Sequence, residues 1–226
     1  MSTPKRLLLI ACLLALSCIS ARPAQSASPD DGIYSIVVTT PTFANQGYVS
    51  VHQQGAVVVL IVIGNFGWSA GVGTRDNDVI KGTTYSSTGL ANGTFSFVVA
   101  GGTLTGLMVE AGIAYSLAGE LLFGPGPGPN DGIYSLVAVP GRDIGYLSVH
   151  QQGNNVILIL ALTEPPANWA AWVGVRSGDD IYGNAYNASG FYGAFSVTFT
   201  DATYTGLVSY PGYVFSLAGE RVFWSF

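Results

Sequence analysis

The chain predicts an all-β protein of two tandem repeats, each a small antiparallel up-and-down β-barrel or compact sandwich of about eight short strands. Three observations carry this. The stretch Gly47-Tyr48-Val49-Ser50-Val51-His52-Gln53-Gln54-Gly55 returns almost letter for letter as Gly145-Tyr146-Leu147-Ser148-Val149-His150-Gln151-Gln152-Gly153. The composition is that of turn-rich sheet, with 30 glycines, 12 tyrosines and 11 phenylalanines among 226 residues. Beyond the N-terminal leader the apolar residues follow a period of two or run unbroken, and no helical period emerges.

Taken in order, Lys5-Arg6 and the apolar run Leu7 to Leu16 form the n-region and h-region of a signal peptide, assigned to residues 1–28. The run is too short for a transmembrane helix. Both cysteines, Cys12 and Cys18, lie in this leader, so the exported chain has no disulfide and no thiol ligand. Ala15-Leu16-Ser17-Cys18 shares features with a bacterial lipobox, which makes lipid attachment at Cys18 a minority alternative to simple export.

The first repeat spans 29–123 and the second 129–226, with the Gly/Pro linker 124–128 between them. That linker supports neither helix nor ladder. Asp31-Gly32-Ile33-Tyr34-Ser35 matches Asp131-Gly132-Ile133-Tyr134-Ser135 near the start of each repeat, and Ser116 to Glu120 matches Ser216 to Glu220 near the end. Strands are expected near 32–38, 47–53, 57–63, 68–74, 79–85, 93–99, 103–109 and 113–123, and at matching places in the second copy. Phe95, Phe97 and Val99 alternate with Thr94, Ser96 and Val98, as in a half-buried strand. Val57 to Ile63 and Val156 to Leu162 are unbroken apolar runs, which fits a strand covered on both faces. Gly55 and Gly153 separate adjacent strands at tight hairpins.

Charged residues are 9% of the chain, and three of its eight basic residues (Lys5, Arg6, Arg22) fall in the leader. Residues 29–226 therefore hold five basic and thirteen acidic groups, a formal charge of −8 with no basic cluster. Nucleic acid is excluded as a partner on that ground. Low charge with high hydropathy keeps membrane association open without favouring it.

The segment Gly145 to Asn154, the strand Val156 to Leu162 and Trp169 to Gly174 resemble a pattern in uncharacterised exported bacterial β-repeat proteins. That pattern reads G-[FY]-x-[VI]-x-x-Q-G-[ND], then an apolar strand, then a tryptophan strand. The resemblance implies an exported β-module and brings no activity with it. An architectural likeness to calycin-type barrels rests on Gly132-Ile133-Tyr134 and Arg221, at the places of Gly-x-Trp on strand one and an arginine on the last strand. Tyrosine replaces the tryptophan, and the first repeat has Leu121 where the second has Arg221.

His52, Gln53 and Gln54 with Tyr48, and His150, Gln151 and Gln152 with Tyr146, are the candidate binding residues. Imidazole and amide groups at a barrel mouth can hydrogen-bond a ligand, or they can satisfy backbone where the strand turns. Alternation puts Val49 and Val51 on the inward face and Tyr48, Ser50 and His52 on the outward one. The histidines are thereby expected to line the outer or inter-repeat surface, where replacing them costs little stability. Asp76-Asn77-Asp78 and Asp179-Asp180 are fragments of a calcium loop without its glycine and glutamate spacing, so they read as polar turns. Glu120 and Glu220 read as solvent-facing or locally paired, the second with Arg221. Asn92-Gly93-Thr94 fits a glycosylation sequon. No metal, cofactor or catalytic group is assigned.

The function expected is that of a non-enzymatic exported protein of the envelope, periplasm, cell surface or extracellular space. It binds a small apolar ligand, or acts as a surface module for a protein or self-assembly partner. One alternative is an outer-membrane barrel, supported by Trp224-Ser225-Phe226; strands of about seven residues fall short of the about 9–11 needed to span. The other is a hydrolase using His52 or His150 with a carboxylate.

Overall fold

The computed structural model describes residues 28, 30–65, 67–124, 128–140, 143–163, 169–187 and 190–224. Residues 1–27 of the expected signal peptide, with Cys18, the linker residues 125–127, residues 164–168 and the terminal Ser225-Phe226 lie outside these residues. Among the described residues every regular element is a strand. The chain divides into two compact units, one before and one after the linker, and each is a closed barrel.

The first barrel consists of β1 (Gly32–Thr39), β2 (Ala44–Gln54), β3 (Val57–Gly64), β4 (Gly67–Asp76), β5 (Val79–Tyr85), β6 (Ala91–Ala100), β7 (Thr103–Glu110) and β8 (Ile113–Phe123). Each strand pairs antiparallel with the next, and β8 returns to β1 through Val38↔Leu117 and Ile36↔Gly119. The second repeats the order with β9 (Gly132–Val139), β10 (Asp143–Gln152), β11 (Asn155–Leu162), β12 (Trp169–Ser177), β13 (Asp180–Asn187), β14 (Gly190–Thr200), β15 (Thr203–Tyr210) and β16 (Tyr213–Trp224). It closes between β16 and β9. The meander therefore closes into a barrel and is not a sandwich. Closure removes the exposed edges that an open sheet of this length would present.

All eight expected strands form in each repeat, but several are longer than expected: β2 and β8 have 11 residues and β16 has 12. Turn glycines and Asn77 let the ladders run on to the hairpins; Gly55 and Asn77 adopt positive φ, which few other residues tolerate. The odd-numbered strands remain at seven or eight residues, β5 being the shortest with seven, and still fall short of the about 9–11 needed to span.

Alternation puts one face of every strand into its barrel. In the first, Tyr34, Ile36, Val38, Val49, Val51, Val58, Leu60, Val62, Ile80, Phe95, Phe97, Val99, Leu104, Met108 and Leu117 form one contiguous cluster. The second barrel has the corresponding cluster around Trp172, Phe195, Tyr134 and Tyr204. Eight strands enclose a space just wide enough for side chains to fill. The repeats fill it with different rings at matched places. Trp172 stacks on Phe195 at 4.9 Å in the second barrel. In the first, Gly71 stands at the tryptophan's place and Phe95 stacks instead on Phe97, at 5.2 Å. A Cβ on Gly71 would come within 2.9 Å of the Phe95 ring, so glycine there goes with that ring's position.

The apolar run on β3 behaves as its composition requires. Val58, Leu60 and Val62 point inward, and Val59, Ile61 and Ile63 on the opposite face are buried as well.

Candidate functional site

Register fixes where the repeated motif points. Val49 pairs with Val62 and Val51 with Leu60, all inside the first barrel. Ser50 and His52 stand opposite Ile61 and Val59 on the outward face, as expected. They are nevertheless buried: His52 is 0% exposed and His150 is 4% exposed. This corrects the expectation that they behave as ordinary exposed positions. The outward faces of β2 and β3 form a second buried layer, so pointing away from the barrel core is not the same as meeting solvent.

For His150, burial alone pushes the imidazole down to about 3, so it is neutral at physiological pH. Tyr146, half-buried on the same strand, has its phenol raised to about 12 by burial.

Alternation also divides the His-Gln-Gln trio. Gln53 lies on the inward parity and closes its own hairpin, its Nε2 donating to the Gly55 carbonyl at 2.7 Å. Gln151 does the same to Gly153 at 2.8 Å. Gln54 is partly buried and Gln152 exposed. The amides at Gln53 and Gln151 thus satisfy backbone at the turn. The motif is not one polar cluster.

Around Gln53 the first barrel gathers a network that the sequence did not announce. Arg75 forms an ion pair with Asp30, and both side chains are largely buried. Its Nη1 donates to Gln53 Oε1 at 3.3 Å, its Nη2 to the Val99 carbonyl at 3.1 Å and its Nε to the Asn77 carbonyl at 2.6 Å. The second barrel has Asn130 in place of Asp30, and Arg176, the counterpart of Arg75, lies 3.9 Å from Asp179. There Arg221 closes the same end of the barrel. Its Nε donates to Tyr134 Oη at 2.7 Å and its Nη2 to the Pro129 carbonyl at 2.8 Å, with the guanidinium 5.0 Å from the Tyr134 ring centre. Glu220 is exposed, and the partners described for Arg221 are these groups and the Asp201 carbonyl. Asp131 beside them accepts from the amides of Gln151 at 2.6 Å and Gly128 at 3.1 Å. Burial pushes its carboxyl up to about 8 in spite of those two bonds.

The opposite end of the first barrel holds a second polar group, also missed. Ser69 on β4 donates to Glu110 Oε2 on β7 at 3.0 Å, across the barrel. Glu110 Oε1 is buried without a partner among the described residues. Nearby on β5 and β6, Thr84 donates to Asn92 Oδ1 at 3.0 Å. Asn92 stood out in the sequence only as a sequon, and Glu110 not at all. Strand parity with Leu104 and Met108 was the available signal for Glu110.

The residues Asp76 to Asp78 and Asp179 to Asp180 lie at hairpins and strand ends, as polar turns do. Among the described residues no group of three or more His, Cys, Asp or Glu side chains could hold a metal ion.

No protein-family model and no curated protein matches the chain in sequence. Among solved structures, the chain is similar to a Trp-176-Ala mutant of the vaccine antigen Transferrin Binding Protein B from Haemophilus parasuis Hp5. The identity is 6% and the TM-score 0.33, over 88% of this chain and 69% of that one.

Proposed function

We propose that this is a non-enzymatic exported module that works through the outer surfaces of its two barrels, as a surface or assembly component. The observation that carries the reading is the pair of interiors. Each is occupied by a contiguous cluster of the barrel's own side chains, which supports outside contacts over the carriage of an apolar ligand within. An apolar interior is also the reverse of an outer-membrane barrel, whose lumen is polar. That favours barrels surrounded by water, and export rests on the signal-peptide pattern of residues 1–28.

The outward face of β6–β8 suits such contacts. Thr94, Ser96, Val98, Thr105, Leu107, Val109, Ala114, Ser116 and Ala118 are all exposed, and none is charged. Ala194, Ser196, Thr198, Thr205, Leu207, Ser209, Val214, Ser216 and Ala218 give the second barrel the same kind of face. Leu107 and Leu207 at its centre are 53% and 50% exposed. A broad sheet face whose charge is confined to Glu120 and Glu220 at its margin fits association.

The test has two arms. Sedimentation of the purified protein should show association that rises with concentration and is lost in a Leu107→Lys, Leu207→Lys variant. Titration with N-phenyl-1-naphthylamine should give no saturable fluorescence gain. A strictly monomeric protein that binds the dye stoichiometrically would replace this reading with that of an interior ligand carrier.

A further inference from the structure

We propose that the mouth of the first barrel binds a small organic cation of the primary-amine class through Glu110 Oε1. The inference is independent of the surface reading above.

Glu110 ends β7 on the parity of Leu104 and Met108, which both belong to the interior cluster. Its carboxylate therefore sits over the end of the packed core. Ser69, 6% exposed, holds Oε2 from the other side of the barrel, and the bond fixes the carboxylate's direction. Oε1 is left shielded from solvent with no donor among the described residues. A buried carboxylate oxygen without a donor forfeits its solvation, and a donor carrying positive charge offsets that loss best.

Thr84, Gly93 and Glu110 form a single cross-strand row over β5, β6 and β7. A Cβ at Gly93 would overlap the Val109 carbonyl, so the row has no side chain between Thr84 and Glu110. The charge of −8 on residues 29–226 attracts cations to the molecule as a whole.

The second barrel is an internal control. Tyr210 stands where the first has Glu110, Tyr192 where it has Asn92, and Ala170 where it has Ser69. The two tyrosine rings stack at 4.3 Å, and Tyr192 donates to Tyr210 at 2.8 Å. That mouth is closed by its own side chains. Duplication has left one mouth acidic and the other aromatic.

The experiment is titration of the purified protein with n-propylammonium chloride, followed by amide chemical shifts. Saturable changes are expected at Ser69, Thr84, Gly93 and Glu110, with none at Tyr210. Glu110→Gln should weaken binding by roughly tenfold or more, the loss expected for a charge-assisted hydrogen bond. Ser69→Ala keeps the carboxylate but frees its direction, and should weaken binding less than Glu110→Gln does. Tetramethylammonium, which has no N–H donor, should not compete. The proposal is overturned if no saturable shift occurs, if Glu110→Gln binds equally, if Ser69→Ala abolishes binding, or if tetramethylammonium competes as well as the amine.

Discussion

Arg221 lies over the ring of Tyr134, its guanidinium carbon 5.0 Å from the ring centre and its Nε 2.7 Å from the phenol oxygen. The first and last strands of the second barrel are thus tied together by a side-chain contact as well as by the ladder. Replacing Arg221 with leucine, the residue of the first repeat, removes a cation–π contact and the bonds to Tyr134 and Pro129. The expected loss is about 1–3 kcal/mol in denaturant melts, whereas Leu121→Ala in the first barrel should leave the second barrel's transition unmoved.

Asp30 and Arg75 play the closing role in the first barrel. Asp30→Asn converts that site to the second repeat's residue and leaves Arg75 with Gln53 Oε1, the Val99 and Asn77 carbonyls and the exposed Asp78 carboxylate at 3.8 Å. Because those acceptors remain, the expected cost is about 1.5–3 kcal/mol, below the about 3–5 kcal/mol of a buried charge with no partner. A urea titration of the variant reads the difference. A null effect would show that the ion pair adds nothing.

The histidines should matter for stability. Surface positions change it by about 0.5 kcal/mol or less. His52 is buried and paired across the ladder with Val59, and His150 is buried and paired with Ile157. The double replacement His52→Ala, His150→Ala is therefore expected to cost about 1–3 kcal/mol or more, since it leaves buried neighbours unsatisfied. Chemical denaturation measures this directly.

Two groups of the second barrel should give opposite pH slopes. His150 has a folded value lowered to about 3, so its contribution is present above its ordinary value near 6.5 and is lost as pH falls toward 3. Asp131 is raised to about 8, so its contribution is complete below about 4 and is lost as pH rises through 8. Melting temperature measured across pH should show both limbs. Asp131→Asn should flatten the alkaline limb and spare the acid one, and an unchanged alkaline limb would assign it elsewhere.

Each repeat should fold alone. Residues 129–226 hold a closed ladder and a core cluster of their own. The isolated segment is expected to give a β-type circular dichroism spectrum and a cooperative thermal transition. A disordered spectrum without a transition would show that one barrel depends on the other.

The sequence by itself determined the two-fold repeat, the order of eight strands in each copy, the hairpins at Gly55 and Gly153 and the inward face of the repeated motif. Those features are written locally, in period-two alternation, turn residues and duplication, which need no knowledge of distant neighbours. Only the tertiary structure decided that the meander closes, because pairing of β8 with β1 joins residues some 80 positions apart. It also decided that outward His52 is shielded, since alternation reports which face a residue occupies and not what lies over that face. Finally it joined Asp30 to Arg75, Tyr134 to Arg221 and Ser69 to Glu110. Each of these pairs is distant in sequence and stands in the other repeat as a different residue combination, so no local pattern marks it; the barrel's curvature brings the partners together.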